Sequence, residues 1–143
     1  MPCHASLSHH TTLGEQPAEL SGDIEFRDVT FAYPTRPDET VLKSFNLKIK
    51  AGETVAIVGE SGCGKSTIVG LLERYYDPDG GQVLLDGRPL PSLNIQWLRR
   101  NISLVSQMPI LFPLSIEKNI GMGKKDPTMD EIRAAAAMVC PWE

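Results

Sequence analysis

Apolar and polar positions change rhythm several times along the chain, and each rhythm predicts an element. Up to about Gly22 no period of 2 or 3.6 persists among the Ser, Thr, His, Gly and Pro residues, so residues 1–22 read as a flexible lead. Ile24-Glu25-Phe26 then alternates as a strand, continuing to Phe31 with a break near Asp28. Tyr33-Pro34-Thr35-Arg36-Pro37-Asp38 is a loop, because both prolines disfavour helix. Phe45 to Lys50 alternates as a half-buried strand, and Ala51-Gly52 turns the chain. Thr54 to Val58 is β-rich but does not alternate, the pattern of a central strand covered on both faces.

After a glycine-rich segment, Ile68, Leu72 and Tyr76 fall at helical spacing, with Val69 and Leu71 widening the apolar face. Asp77-Pro78-Asp79-Gly80-Gly81 stops this helix. Gln82 to Leu85 is a further strand, ending in the turn Asp86-Gly87. Ser92 is placed to cap a short helix through Arg99, Asn101 to Val105 reads as a strand, and Ser115 caps a brief helix toward Ile120. Thr128 with Glu131 forms a capping box that opens a last helix across the alanine run, which Pro141 ends. No segment repeats.

Composition narrows the classes. A length of 143 residues suits one domain. Fourteen basic against 18 acidic side chains, a formal charge of −4, give no global pull toward nucleic acid or anionic lipid. The longest apolar run, Ala134 to Cys140, is far short of the roughly 20 residues of a membrane span. Met1 to Ser6 lacks the basic and apolar regions of a secretory signal. Cys3, Cys63 and Cys140 are odd in number and widely spaced, which favours a reducing compartment over a disulfide framework. Cys3 with His4, His9 and His10 matches no zinc-ligand spacing.

The chemistry concentrates in one loop. Gly59-Glu60-Ser61-Gly62-Cys63-Gly64-Lys65-Ser66-Thr67 satisfies G-x-x-x-x-G-K-[ST], between a buried-type strand and an amphipathic helix. Glycines permit positive φ, so successive backbone N–H groups can curl around an anion. The helix that follows aims its N-terminus, equivalent to about +0.5 charge, at the same place. Lys65 adds a full charge between β- and γ-phosphates, Ser66 offers a hydroxyl to Mg²⁺, and Thr67 reaches an α-phosphate oxygen. A glycine-rich turn that binds nothing is the competing reading. Cys63 inside the loop reads as a small filler facing away from the phosphates, or as a thiol activated by the helix N-terminus and Lys65. Guanine recognition is disfavoured, because no N-K-x-D is present and Asp77-Pro78-Asp79-Gly80 directly follows the first helix.

Further segments resemble the nucleotide-binding domain of ATP-binding cassette (ABC) transporters. Phe31-Ala32-Tyr33-Pro34-Thr35-Arg36-Pro37 is similar to the aromatic adenine loop of the multidrug-exporter, P-glycoprotein-like B-type subfamily. Val83 to Gly87, and Trp97-Leu98-Arg99 with Ile102, resemble that subfamily's middle segment. Leu104 to Phe112 resembles its glutamine loop, and Ser115-Ile116 with Asn119-Ile120 continues the likeness. It covers roughly Gly22 to Ala135. The implied fold is α/β: a P-loop NTPase core with an antiparallel β subdomain and the start of a helical subdomain, incomplete, over residues 23–143.

The resemblance also implies roles. Tyr33 would stack on adenine; a tyrosine anchoring the proline loop is the alternative. Gln107 would direct its amide oxygen to Mg²⁺ and the attacking water, making Lys65 and Gln107 the catalytic candidates; a loop amide capping local backbone is the alternative. Pro109, Leu111 and Phe112 would touch a membrane domain, or else pack in the core, and Met108 departs from the usual Gln-Glu-Pro. The implied ligands are ATP and Mg²⁺, and the implied partners an exporter's transmembrane domain and a second nucleotide-binding domain, with no nucleic acid. The parent would hold this domain on the cytoplasmic side of a membrane.

The family's signature, Walker B strand and switch histidine have no counterpart here. Leu20-Ser21-Gly22-Asp23 imitates the first weakly but precedes the first strand, and Val83-Leu84-Leu85-Asp86 imitates the second with Gly87 where the catalytic Glu belongs. The chain is therefore expected to be a fragment, truncated before these motifs. It is expected to bind ATP with little hydrolysis and to expose an unpaired edge at Thr54–Val58. A non-hydrolytic ATP-binding or interaction module is the alternative. A soluble cassette ATPase of DNA maintenance fits the contexts of Tyr33 and Gln107 less well.

Overall fold

The computed structural model describes residues 13–139. The chain divides into two compact units, one ending at Ser103 and one beginning at Leu104. In the first, β1 (Ile24–Ala32), β2 (Thr40–Ile49), β3 (Gly80–Leu85) and β4 (Arg88–Pro89) form an antiparallel sheet in the order β2-β1-β3-β4. Two helices, α1 (Lys65–Leu72) and α2 (Ile95–Asn101), belong to the same unit. Phe26, Val29 and Phe31 of β1, Leu42 of β2, Val83 and Leu85 of β3, Ile68 and Leu71 of α1 and Leu98 of α2 share one buried core. Each such side chain contributes about 1.5–3 kcal/mol by leaving water.

The expected break in β1 is a bulge. Asp28 has φ 50°, and the pairing with β2 slips between Phe26↔Leu47 and Val29↔Phe45. Asn46 secures it: the Asp28 N–H donates to Asn46 Oδ1 (2.9 Å), and Asn46 Nδ2 donates to Asp28 Oδ1 (2.8 Å). Gly81, at φ 73°, lies against the same spot; a Cβ there would fall 2.3 Å from the Asp28 carbonyl oxygen. Only glycine fits.

Several elements differ from the sequence reading. Thr54–Val58 is not a strand: among the described residues nothing pairs with it, and Val58 is 91% exposed. An apolar run that needs neighbours on both sides has no ladder without them. Asn101 closes α2, and residues 102–105 likewise form no strand. Asn94, not Ser92, caps α2, its Oδ1 accepting from Trp97 N–H (3.0 Å); the Ser92 hydroxyl instead donates to Pro89 O within a 3-10 turn, Leu90–Ser92. Helix α1 ends at Leu72, a turn earlier than Tyr76.

Part of the expected flexible lead, residues 13–22, is tied down, while residues 1–12, with Cys3 and the three histidines, lie outside the described residues. Glu15 N–H donates to Ser92 O (2.9 Å), and Asn94 N–H donates to Glu15 O (2.9 Å). Leu20 packs against the core.

In the second unit, α3 (Ile116–Gly121) and α4 (Met129–Val139) meet. Ser115 caps α3 as expected, accepting from Lys118 N–H (3.2 Å). The capping box of α4 is complete: Thr128 N–H donates to Glu131 Oε2 (3.0 Å), and Glu131 N–H donates to Thr128 Oγ1 (3.3 Å). Asn119 holds the preceding loop, donating to the carbonyls of Phe112, Leu114 and Ser115 and accepting from Phe112 N–H. Pro141, expected to end α4, lies outside the described residues.

Candidate nucleotide-phosphate site

Helix α1 begins without a side-chain cap. Its N-cap is Gly64 at φ 93°, and Gly62 two residues earlier has φ 85°. Both values fall where side-chain-bearing residues are strained. Gly64 is required for space as well, since a Cβ would come within 3.0 Å of Val41 Cγ1 and 3.1 Å of Leu42 Cδ2 on β2. A Cβ on Gly62 would meet nothing within 4 Å, so the outer side of the loop is open. Gly59, Glu60, Ser61, Gly62, Cys63 and Ser66 are exposed.

Lys65 folds back over this loop. Its Nζ donates to the carbonyls of Gly59 (2.8 Å) and Glu60 (2.6 Å) and lies 3.5 Å from Cys63 Sγ. The thiol therefore lies beside the ammonium. The Cys63 N–H donates to Glu60 O (3.3 Å), closing the bend. A helix N-terminus without a capping side chain, left-handed glycines and an ammonium resting on neutral carbonyls together make a place for an anion.

Thr67 is only 3% exposed, and its hydroxyl is hydrogen-bonded to the Tyr33 hydroxyl at 2.8 Å. The Tyr33 ring also meets Phe31 (5.1 Å, 78°) and Tyr76 (5.4 Å, 89°) edge to face. The sequence placed Tyr76 on a helix face; its membership of this aromatic group depends on the early end of α1, which no periodicity signals. Gln107 is exposed and belongs to the second unit. Near it Leu111 is 79% and Phe112 51% exposed and Pro109 is exposed, which removes core packing as their explanation.

The two sequence imitations have a shared structural use. Asp86 accepts backbone N–H groups from Ser21 (2.7 Å), Gly22 (2.9 Å) and Asp23 (2.8 Å). Burial raises its pKa, but those three bonds and the charge of Arg88 outweigh that and hold the carboxyl below its ordinary value. Asp79 works similarly at the far end of the sheet, accepting from Ala32 N–H (2.8 Å). Both acids are occupied with the fold.

The ABC transporter family profile matches residues 42–140. The chain belongs to the ABC transporter family. Relatives place it with the B-type multidrug exporters. It is 53% identical over 128 residues to ABC transporter B family member 3 of Dictyostelium discoideum, covering 90% of this chain and 9% of that protein. It is 52% identical over 131 residues to Multidrug resistance protein 4 of Entamoeba histolytica (90% and 10%). To Multidrug resistance protein homolog 65 of Drosophila melanogaster it is 56% identical over 117 residues (82% and 9%). The chain thus spans about a tenth of the length of these relatives. The family implies a P-loop NTPase, with which this antiparallel sheet and these helices agree. Among the described residues no helix is long and apolar enough to cross a membrane.

Proposed function

We propose that this ABC segment binds ATP through Gly59–Ser66 as part of an exporter's nucleotide-binding domain, on the cytoplasmic side of a membrane. The observation that carries the reading is Lys65, whose ammonium rests on the Gly59 and Glu60 carbonyls across an uncapped helix N-terminus. A cation held by neutral acceptors can turn to a triphosphate without breaking an ion pair. Gly59, Glu60, Ser61, Gly62, Cys63 and Gly64 would supply backbone amides, Lys65 and Ser66 the charge and hydroxyl, and Tyr33 the surface for adenine.

The donors suit magnesium: a Ser66 hydroxyl and a Gln107 amide oxygen are hard oxygen ligands. Magnesium would supply neutralisation of the triphosphate charge there. Asp86 is engaged by three backbone amides and so is a poor substitute for a metal-binding acid. This supports a chain that binds ATP and turns it over inefficiently by itself. In the parent protein the exposed segment around Leu111 and Phe112 would meet a transmembrane domain, and a second nucleotide-binding domain would close over the ATP.

Titration calorimetry with Mg-ATP, paired with a phosphate-release assay, tests both parts. Binding with negligible turnover is expected. Absence of binding defeats the assignment, and rapid magnesium-dependent turnover defeats the division of labour.

A further inference from the structure

The phosphate loop and the aromatic loop are joined by one hydrogen bond. Thr67 sits on the first turn of α1, immediately after the residues that face the phosphates, and its buried hydroxyl is bonded to the Tyr33 hydroxyl at 2.8 Å. Tyr33 stands just beyond the end of β1, where its carbonyl accepts from Arg36 N–H (2.8 Å). Backbone turn, ring edges and hydroxyl tip are therefore all fixed: the ring against Phe31 and Tyr76, the tip against Thr67. A tyrosine ring turns about two side-chain torsions, and a hydrogen bond at its tip removes the remaining freedom to swing. Such prior ordering strengthens binding by reducing what must be immobilised when the ligand arrives.

We infer that Thr67 is a positioning residue for the base end of the nucleotide: its hydroxyl holds the Tyr33 ring in place and leaves the phosphates to Lys65, Ser66 and the loop amides. The inference rests on the ATP reading above. It means that one residue of the phosphate-loop motif serves adenine, and that the Tyr33 hydroxyl, remote from any stacking face, matters for affinity.

The test is calorimetry on the 143-residue chain with ATP and, separately, with inorganic tripolyphosphate, which lacks the base. Tyr33→Phe removes only the hydroxyl and keeps the ring. Thr67→Val removes the other hydroxyl at nearly constant shape, and Thr67→Ser restores it. Each of Tyr33→Phe and Thr67→Val is expected to weaken ATP about fivefold, the scale of one hydrogen bond. The double variant should be no weaker than either single. Thr67→Ser should bind like the parent, and tripolyphosphate should bind all variants alike. Unchanged or tighter ATP binding by Tyr33→Phe overturns the inference, and so does additivity in the double variant. A Thr67→Val loss of equal size with tripolyphosphate assigns Thr67 to the phosphates and also overturns it. Tyr33→Phe decides the matter if Thr67→Val fails to fold. Failure of the parent chain to bind either ligand removes the ATP reading itself, a result distinct from all of these.

Discussion

Two stretches of backbone in the first unit are shaped to hold negative charge, and they meet different fates. At Ser21–Asp23, around Gly22 at φ 98°, three N–H groups close on the carboxylate of Asp86. At Gly59–Lys65, around Gly62 and Gly64, a lysine ammonium lies over the loop's own carbonyls. The first is satisfied by an acid some 60 residues away in sequence and joins the start of the chain to the turn after β3. The second is furnished with positive charge, and among the described residues no carboxylate pairs with that ammonium. On the proposed reading, similar main-chain geometry is structural where the anion is built in and receptive where only the cation is.

Breaking the receptive member should have the largest effect. Lys65→Ala is expected to weaken ATP binding about 100-fold or more in calorimetry, because a charge-assisted contact disappears, with little change in melting temperature. Breaking the filled member should do the opposite. Asp86→Ala leaves three amides without their acceptor and is expected to cost about 1–3 kcal/mol in denaturant unfolding. A comparable loss of stability from Lys65→Ala would erase the distinction.

Alkylation of Cys63 sharpens the contrast more gently. The thiol lies 3.5 Å from Lys65 Nζ, so an added group crowds the ammonium; about tenfold weaker ATP binding is expected after complete reaction, scored by mass and calorimetry. Acid gives the smallest effect. The Asp86 pKa is lowered, so the stability it contributes is present above the ordinary carboxyl range and fades as pH falls through the lowered value. Glu131 behaves alike at the start of α4. Its bond to Lys124 and the Thr128 N–H bring its pKa from 4.5 to about 2, so the cap should persist through pH 4 and weaken below about 3. Glu131→Gln should flatten that part of a helicity titration.

Local signals carried the sequence reading furthest. The glycine turn that opens α1, the Ser115 cap and the Thr128–Glu131 box each depend on residues a few positions apart, and all are present in the structure. Thr54–Val58 depends on neighbours that local pattern cannot supply, and there the expected strand is missing. Asp86 shows the same limit from the other side: nothing near it in sequence announces that Ser21 to Asp23 will take its charge. The pairing of Tyr33 with Thr67 joins positions 34 residues apart, and spacing alone does not reveal it.

The bulge at Asp28 reaches further than its single residue. In an unbroken strand the side chains that share a face with Phe26 would be those at even positions, and Tyr33 would leave the sheet on the far side. The inserted residue shifts the phase, so Val29 and Phe31 join Phe26 in the core and the chain arrives at Tyr33 on the odd count. Straightening the strand with Asp28 still in place would send that ring to the wrong side, away from the helix it now touches. Deleting Asp28 would instead leave Val29, Phe31 and Tyr33 at every second position from Phe26 and keep it where it is.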